Sequence, residues 1–311
     1  MSNTKKTYFP KEFLEKYQEI LEKEDLKRFI DSCSVRLTKA IRINKLKVNS
    51  IDEIEVLKDL NLKEAPYLKG TYFILSTVSA IGSTVEQLNG LFQIQEVSSL
   101  LPVLVLDPKP NEVILDLTAA PGNKTTYIAE KMNNTGLIVA NEIDTKRIKT
   151  LIYALKKLGV TNTIVTNFDG RFFNMGLKFD KILLDAPCSC EGEIKKNKDV
   201  LKSWSEKLVL SKSKLQKELI LNAFDQLKEN GVLVYSTCTL SPEENEEVID
   251  YLIKKRKKLS IEKINIPNLN YTEGLEKYKS KTYSLDVKKS IRIWPHLTDL
   301  EGFFICKIKK E

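Results

Sequence analysis

Apolar residues near the start of the chain recur at helical spacing. Phe13, Leu14, Tyr17, Ile20 and Leu21 fall at i, i+1, i+4, i+7 and i+8, with Lys16 and Lys23 elsewhere, which predicts an amphipathic helix over 11–24. The segment KAIRIN at 39–44 alternates as a strand does. Residues 51–60 return to helical spacing, 71–75 are strand-like, and 93–106 read as a helix joining these elements to the rest of the chain. Together these elements suggest a small α/β unit.

From about residue 111 short apolar runs alternate with helices. The runs 113–117 (VILDL), 137–140 (LIVA), 163–166, 181–184 (KILL) and 232–236 (VLVYS) are buried-strand candidates. Helices are predicted near 124–132, 145–158 and 212–228, the last with Leu215, Leu219, Ala223 and Leu227 on one face. Strand–helix alternation at this spacing gives a parallel, doubly wound sheet, which binds ligands beyond the carboxyl ends of its strands. Ser241, Pro242 and Glu244 read as a capping box opening another helix. That helix ends in the basic run 254–258, by default a solvated helix terminus and alternatively an RNA contact. Residues 265–290 read as a polar loop, and 291–294 and 303–307 as closing strands. The expected division is 1–108 and 109–311, with no internal repeat.

Composition narrows the class. With 42% hydrophobic and 30% charged residues the chain is neither disordered nor a membrane protein, and its longest apolar stretches, such as 100–106, are far too short to span a bilayer. The start, MSNTKKTYFPKEF, has no apolar signal region. Five irregularly spaced cysteines fit a reducing compartment, so a cytoplasmic protein is expected. The net charge of +8 comes almost wholly from lysine, with only seven arginines. That balance suits phosphate binding or, equally, the solvated surface of a heat-adapted protein. A single histidine, His296, excludes HExxH zinc chemistry and leaves acid, base and nucleophile roles mostly to Cys, Asp, Glu and Lys.

The candidate chemistry sits at strand ends. After the first run comes DLTAAPGNKTT, Asp116 to Thr126: a strand, a tight turn of small residues and a helix start, matching neither GxGxxG nor a P-loop. Glu142 follows the second run, placed to accept from ribose hydroxyls, and Asp169 follows the third, placed to accept from an exocyclic amine. Three acids at successive strand ends without a phosphate loop suggest an adenosine ligand lacking phosphates. S-adenosylmethionine fits this description better than NAD. The fourth run ends in DAPCSC, carrying Asp185, Cys188 and Cys190, and the fifth in STCT, carrying Cys238. These cysteines are readable as buried structural residues or as thiolate nucleophiles. A Cys₃His metal set with His296 is disfavoured by the spacing, and no metal is expected. A thiolate, an acid and a methyl donor together suit cytosine. Carbon 5 becomes nucleophilic once a thiolate has added at carbon 6, and the carbon-5 proton and the thiol must later leave.

At these residues the sequence resembles the NOL1/NOP2/Sun family of RNA 5-methylcytosine methyltransferases. The resemblance runs through GLFQIQEVSSLLP (90–102), DLTAAPGNKTT, DAPCSC, STCT, RIWPH (292–296) and EGFFICKIKK, nearly the whole chain. It implies a Rossmann-like methyltransferase domain with a mostly parallel seven-stranded sheet and a small N-terminal α/β RNA-binding domain. It also implies Cys238 as nucleophile, Cys188 in product release, Asp185 at the cytosine N3 and amino group, and Lys124 beside the target nucleotide. For S-adenosylmethionine it implies Asp116, the loop Ala119, Ala120, Pro121, Gly122, Asn123 and Lys124, then Glu142 on the ribose, Arg147, Asp169 on the adenine, and Asp185.

Two departures stand out. Asn123 replaces a second loop glycine, tolerable if the site needs positive φ, and Cys190 replaces the glycine after Pro-Cys-Ser. Arg36, Arg42, Lys45 and Lys47 are readable as RNA-backbone contacts or as surface charge. The expected function is methylation of rRNA or tRNA by a monomer. FDGRFF (168–173) and LKSWSEK (201–207) lean slightly toward rRNA. The alternatives are a non-catalytic RNA-binding assembly factor retaining the fold, which would need none of Cys188, Asp185 and Cys238, and DNA methylation, weakened by the Thr-Cys motif.

Overall fold

A computed structural model describes residues 8–75 and 81–311. The first amphipathic stretch forms two helices rather than one, α1 (Lys11–Gln18) and α2 (Lys23–Ser34). The break lets both apolar faces turn inward. Phe13, Tyr17, Leu26, Phe29 and Cys33 are buried with Trp204, Leu240 and Trp294 of the second half of the chain. Next come strands β1 (Ala40–Ile43), β2 (Leu62–Ala65) and β3 (Leu68–Ile74), then helix α3 (Val85–Leu88) and β4 (Phe92–Ile94). The strands form an antiparallel sheet in the order β2-β3-β1-β4. The helix expected over 51–60 is two separate single turns of 3₁₀ helix, Ile51–Glu53 and Glu55–Leu57. The helix expected over 93–106 is only its second half, α4 (Leu101–Leu106), preceded by β4 and a 3₁₀ turn. Apolar content without a clean period marked burial there, not helix.

The second sheet begins with β5 (Val113–Asp116), α5 (Asn123–Lys131), β6 (Leu137–Asn141), α6 (Thr145–Leu158), β7 (Thr163–Thr166) and β8 (Phe179–Asp185). It continues with α7 (Val200–Ser203), α8 (Glu206–Asp225), β9 (Leu227–Thr237), α9 (Glu246–Lys255) and β10 (Leu259–Glu262). The chain closes with β11 (Thr272–Glu273), β12 (Lys277–Tyr278), β13 (Lys281–Thr282), β14 (Ile291–Ile293) and β15 (Phe303–Lys310). The order is β11-β14-β15-β9-β8-β5-β6-β7, with β10 also pairing β15. Strands β9 through β7 are parallel, while β10, β11, β14 and β15 add antiparallel pairs, so the sheet is mixed and has nine strands. Residues 265–290, expected as a polar loop, contribute β11 and a separate β12–β13 hairpin.

Both faces of the sheet are covered, as parallel strands require. Ile114 and Ile138 pack with α4 and α5 on one side, and Leu115, Val139 and Ile182 with α8 on the other. From β5 the chain winds outward through β6 to β7, then returns to β8 on β5's other side. The crevice at the carboxyl ends of β5 and β8 is therefore the switch point where such sheets hold ligands. No described helix is long and apolar enough to cross a membrane.

Arg42 joins the two sheets. It is buried, pairs with Glu130, donates from Nη2 to Thr126 Oγ1 at 3.1 Å and from Nε to Gln95 Oε1 at 3.3 Å, and stacks on Tyr127. Its expected RNA contact is thereby corrected: alternation within a strand does not reveal that a charged position faces another domain. Lys47 Nζ is likewise engaged, donating to the carbonyls of Asn89 (2.7 Å) and Lys157 (2.8 Å), and Lys45 donates to Asn49 O. Arg36 stays exposed at the crevice.

Candidate active site

The crevice is a cavity of about 700 Å³ between the two sheets. Its wall includes Thr118, Ala120, Pro121, Asn123 and Lys124 from the β5–α5 turn, Glu142 and Arg147 after β6, Asp185 and Cys188 after β8, and Cys238 after β9. The turn is shaped by Gly122, whose φ of 104° an L residue rarely adopts. A Cβ there would lie 3.0 Å from Leu151 Cδ1 and 3.1 Å from Ala154 Cβ. Asn123 is the first residue of α5 and is not among the described residues with positive φ, so its replacement of glycine needs no special backbone. Ala119 N–H donates to Asn141 O and Gly122 N–H to Ala119 O, so these two groups are satisfied within the fold. Asn123 and Lys124 open α5, where N–H groups have no intrahelical partner.

Asp185 is held from three directions. Lys124 Nζ donates to Oδ2 at 2.6 Å, Ser236 Oγ donates to Oδ1 at 2.8 Å, and Thr118 Oγ1 donates to its carbonyl at 2.9 Å. Burial works against the Lys124 charge, but Asp185 more than offsets it and holds the ammonium above its ordinary pKa. Asp116 is fully buried behind the turn. Burial pushes its carboxyl up to about 7, against a hydrogen bond from Thr125, and Oδ1 has no partner. Glu142 is also buried. Its Oε1 accepts from Asp144 N at 3.0 Å, while Oε2 lies 3.3 Å from Arg147 Nη1 without a hydrogen bond. Arg147 Nη2 donates to Ala120 O at 2.6 Å and so ties α6 to the turn.

Asp169, expected at the adenine, is not on the cavity wall. Arg171 grips its carboxylate from Nε (3.0 Å) and Nη2 (2.6 Å), holding it below the ordinary carboxylate range. Asp116, Ala119 and Gly122 also lie behind the lining rather than on it.

Cys188 Sγ lies 3.2 Å from Cys238 Sγ, and Cys190 joins them, the three sulfurs all within 4.8 Å of one another. Hydrogen bonds from Cys188 and Cys238 hold the Cys190 thiol low, and the same contacts push Cys238, and from the Cys190 side Cys188, upward. Cys190 sits at φ 62°, ψ 24°, the left-handed region. A non-glycine residue there costs on the order of 1 kcal/mol. His296 is packed against Phe29 and Trp294 and is not in this cluster, so no Cys₃His set forms.

The two cysteine loops are registered by contacts that no short motif displays. Ala186 N–H donates to Ser236 O and Gly192 N–H to Cys238 O, each at 2.8 Å, and Gly302 N–H donates to Gly192 O at 3.0 Å. A Cβ on Gly192 would fall 2.0 Å from Gly302 O, so only glycine permits that approach. Beneath lie two buried carboxylates. Glu191 accepts from Tyr17 Oη, Trp204 Nε1 and Ser241 Oγ, each at 2.6 Å. Glu244 accepts from Ser189 N (3.0 Å), Ser189 Oγ and Gln216 Nε2 (2.9 Å). Ser241 and Glu244 therefore form no capping box, and α9 starts only at Glu246. The sequence signal was real locally, but the tertiary network took its side chains.

A family model for the 16S rRNA methyltransferase RsmB/F matches residues 103–309, and one for the N-terminal domain of 16S rRNA methyltransferase RsmF matches residues 9–97. The chain belongs to the NOL1/NOP2/Sun family. Among its relatives is a tRNA (cytosine(49)-C(5))-methyltransferase of Pyrococcus abyssi, 42% identical over 96% of each chain. The ribosomal RNA small subunit methyltransferase F of Vibrio parahaemolyticus is 40% identical over 97% of this chain, which spans 63% of that longer protein. Among solved structures, a methyltransferase homologue from Pyrococcus horikoshii superposes with a TM-score of 0.83 at 34% identity over 97% of this chain and 96% of its own. NSun6 from the same organism, solved with SFG, superposes at 0.85 with 25% identity over 98% and 99%.

Proposed function

We propose that this chain transfers a methyl group from S-adenosylmethionine to carbon 5 of a cytosine in rRNA or tRNA. The observation that carries this reading is the convergence, on one cavity, of two cysteine sulfurs 3.2 Å apart and an aspartate locked by Lys124 and Ser236. Binding RNA alone would require none of these groups.

The cavity residues suit the donor. Glu142 Oε2 is a buried carboxylate oxygen without a hydrogen bond, the kind of acceptor that a ribose diol completes. The N–H groups of Asn123 and Lys124 face a carboxylate favourably at a helix start. An adenine contact by Asp169 requires that carboxylate to exchange Arg171 for an exocyclic amine. When bound, the sulfonium supplies an electrophilic methyl group.

The remaining chemistry belongs to the chain. Cys238 gives its proton to the neighbouring cysteine sulfurs and adds as a thiolate to carbon 6 of the base, and the electron pair of the C5–C6 double bond moves toward N3. Asp185 holds the pyrimidine edge by accepting from the exocyclic amine, and the Lys124 ammonium beside it offsets the negative charge that develops at N3, a contribution of order 10²–10³ in rate for one well-placed group. After carbon 5 has taken the methyl group a base, supplied by solvent in the open crevice, takes its proton, the C–H pair rebuilds the C5–C6 double bond, and Cys238 leaves carbon 6 as a thiolate. Cys188, in contact with Cys238, is placed to donate its S–H to the departing thiolate and so assist release. A base stacked in a duplex cannot enter this crevice, so the target cytosine is unpaired or flipped. We assign residues 1–108 to an RNA-binding unit and 109–311 to the catalytic one. Arg36, Lys39 and Lys196 line the cavity between them and favour a phosphate-rich partner.

The test is incubation of the purified chain with S-adenosylmethionine and either rRNA or tRNA, followed by bisulfite sequencing. One or a few cytosines become protected, and Cys238→Ala abolishes the protection while retaining cofactor binding. Protection by the variant would overturn the nucleophile assignment, and no protection by the wild type on either RNA would overturn the reading itself.

A further inference from the structure

Cys190 has no task in this mechanism, yet it is held in a backbone conformation that favours glycine, and its sulfur lies within 4.8 Å of both other sulfurs. Three thiols from two loops thus converge at one wall of an open cavity. We propose that Cys188, Cys190 and Cys238 form a binding site for one thiophilic d¹⁰ cation of the zinc and cadmium class, and that its occupation silences the enzyme. The last clause rests on the methyltransferase reading; the binding itself does not.

The geometry suits such an ion. Tetrahedral zinc holds sulfur at about 2.3 Å, which sets sulfurs about 3.8 Å apart. The cluster is compact enough for that separation, with one pair at 3.2 Å and no pair beyond 4.8 Å. The loops are fixed by Gly192 N–H to Cys238 O and by Ser189 Oγ to Thr239 Oγ1, both 2.8 Å, so three ligands are pre-positioned rather than gathered. The cavity side leaves room for water as the fourth ligand. On binding, each coordinating thiol yields its proton to solvent and its sulfur lone pair to the metal, with no change of oxidation state. A Cys238 sulfur so engaged has no free pair to add to carbon 6, so metal and cytosine compete. With glycine at position 190 the cluster would fall to two thiols, and the site would lack its third ligand.

The experiment uses the full chain, reduced with a phosphine, without RNA or cofactor. Cadmium is titrated while the sulfur-to-metal charge-transfer absorbance is read, and zinc affinity is measured by competition with a chromophoric chelator. The expected result is saturation at one ion per chain, with affinity reduced more than about 100-fold in Cys190→Gly, beyond the loss expected for an outer-shell change. Cys188→Ser loses affinity similarly. No charge-transfer band at one equivalent, or unchanged affinity in Cys190→Gly with its thermal melt intact, overturns the site. In RNA methylation, one equivalent of zinc stops the wild type, a chelator restores it, and Cys190→Gly keeps turning over at the same zinc concentration. Equal inhibition of both proteins overturns the silencing claim. Absent methylation in metal-free wild type, beside an intact cadmium titration, counts against the methyltransferase reading and not against the metal site.

Discussion

Glu142→Gln tests the cofactor geometry quantitatively. The carboxylate is buried, Oε1 is fixed by the Asp144 amide, and Oε2 has no hydrogen bond. Glutamine keeps the volume and, through its carbonyl, the Asp144 bond, while replacing the free acceptor by a donor. A hydrogen bond to a charged group contributes about 1.5–3 kcal/mol net. Losing one to a ribose hydroxyl should raise the dissociation constant for S-adenosylmethionine by roughly 10- to 150-fold. Isothermal calorimetry measures this directly, with the thermal midpoint as a control for folding. An affinity within twofold of wild type, in a variant that melts normally, would refute the ribose role and the placement of the donor in this cavity.

Three further outcomes are expected from the packing. Arg42→Ala breaks a buried ion pair with Glu130 and should destabilise the chain by about 3–5 kcal/mol in urea unfolding, whereas a solvated RNA contact would cost almost nothing. Burial raises Glu244 from 4.5 to about 7. The folded state thus keeps a proton that the unfolded chain has already lost, and stability falls as pH climbs through that window, by at most about 3 kcal/mol from this group. Glu244→Gln should flatten the slope of unfolding free energy between pH 5 and 7, and an unchanged slope would contradict the assignment. Lys124→Met should lower kcat at least tenfold, read by single-turnover methylation, because it removes a cation 2.6 Å from Asp185 Oδ2.

The strand ends were the most legible part of the chain. Each buried run of the second sheet is short, β-rich and followed by polar residues, so Asp116, Glu142, Asp185 and Cys238 could be placed at one edge from the residue pattern alone. Where reading failed, the cause was tertiary. The stretch 11–24 hides a break, since Glu19 to Glu22 fit a helix locally and only the packing of Phe29 and Cys33 beside Tyr17 requires the turn. Ser241 and Glu244 have capping-box spacing, but buried Ser189, Gln216 and Glu191 compete successfully for them. Asp169 was placed by strand order alone, which carries no information about Arg171 two residues later. The cost of cysteine at position 190 became visible only once its φ was known.

The covalent step is the claim on which the rest depends, and Cys188→Ala isolates it. In that variant Cys238 still attacks but release fails, so incubation with substrate RNA and S-adenosylmethionine should yield a protein–RNA adduct that survives a denaturing gel and disappears in Cys188→Ala/Cys238→Ala. A gel without the adduct, or an adduct that persists without Cys238, would contradict the account.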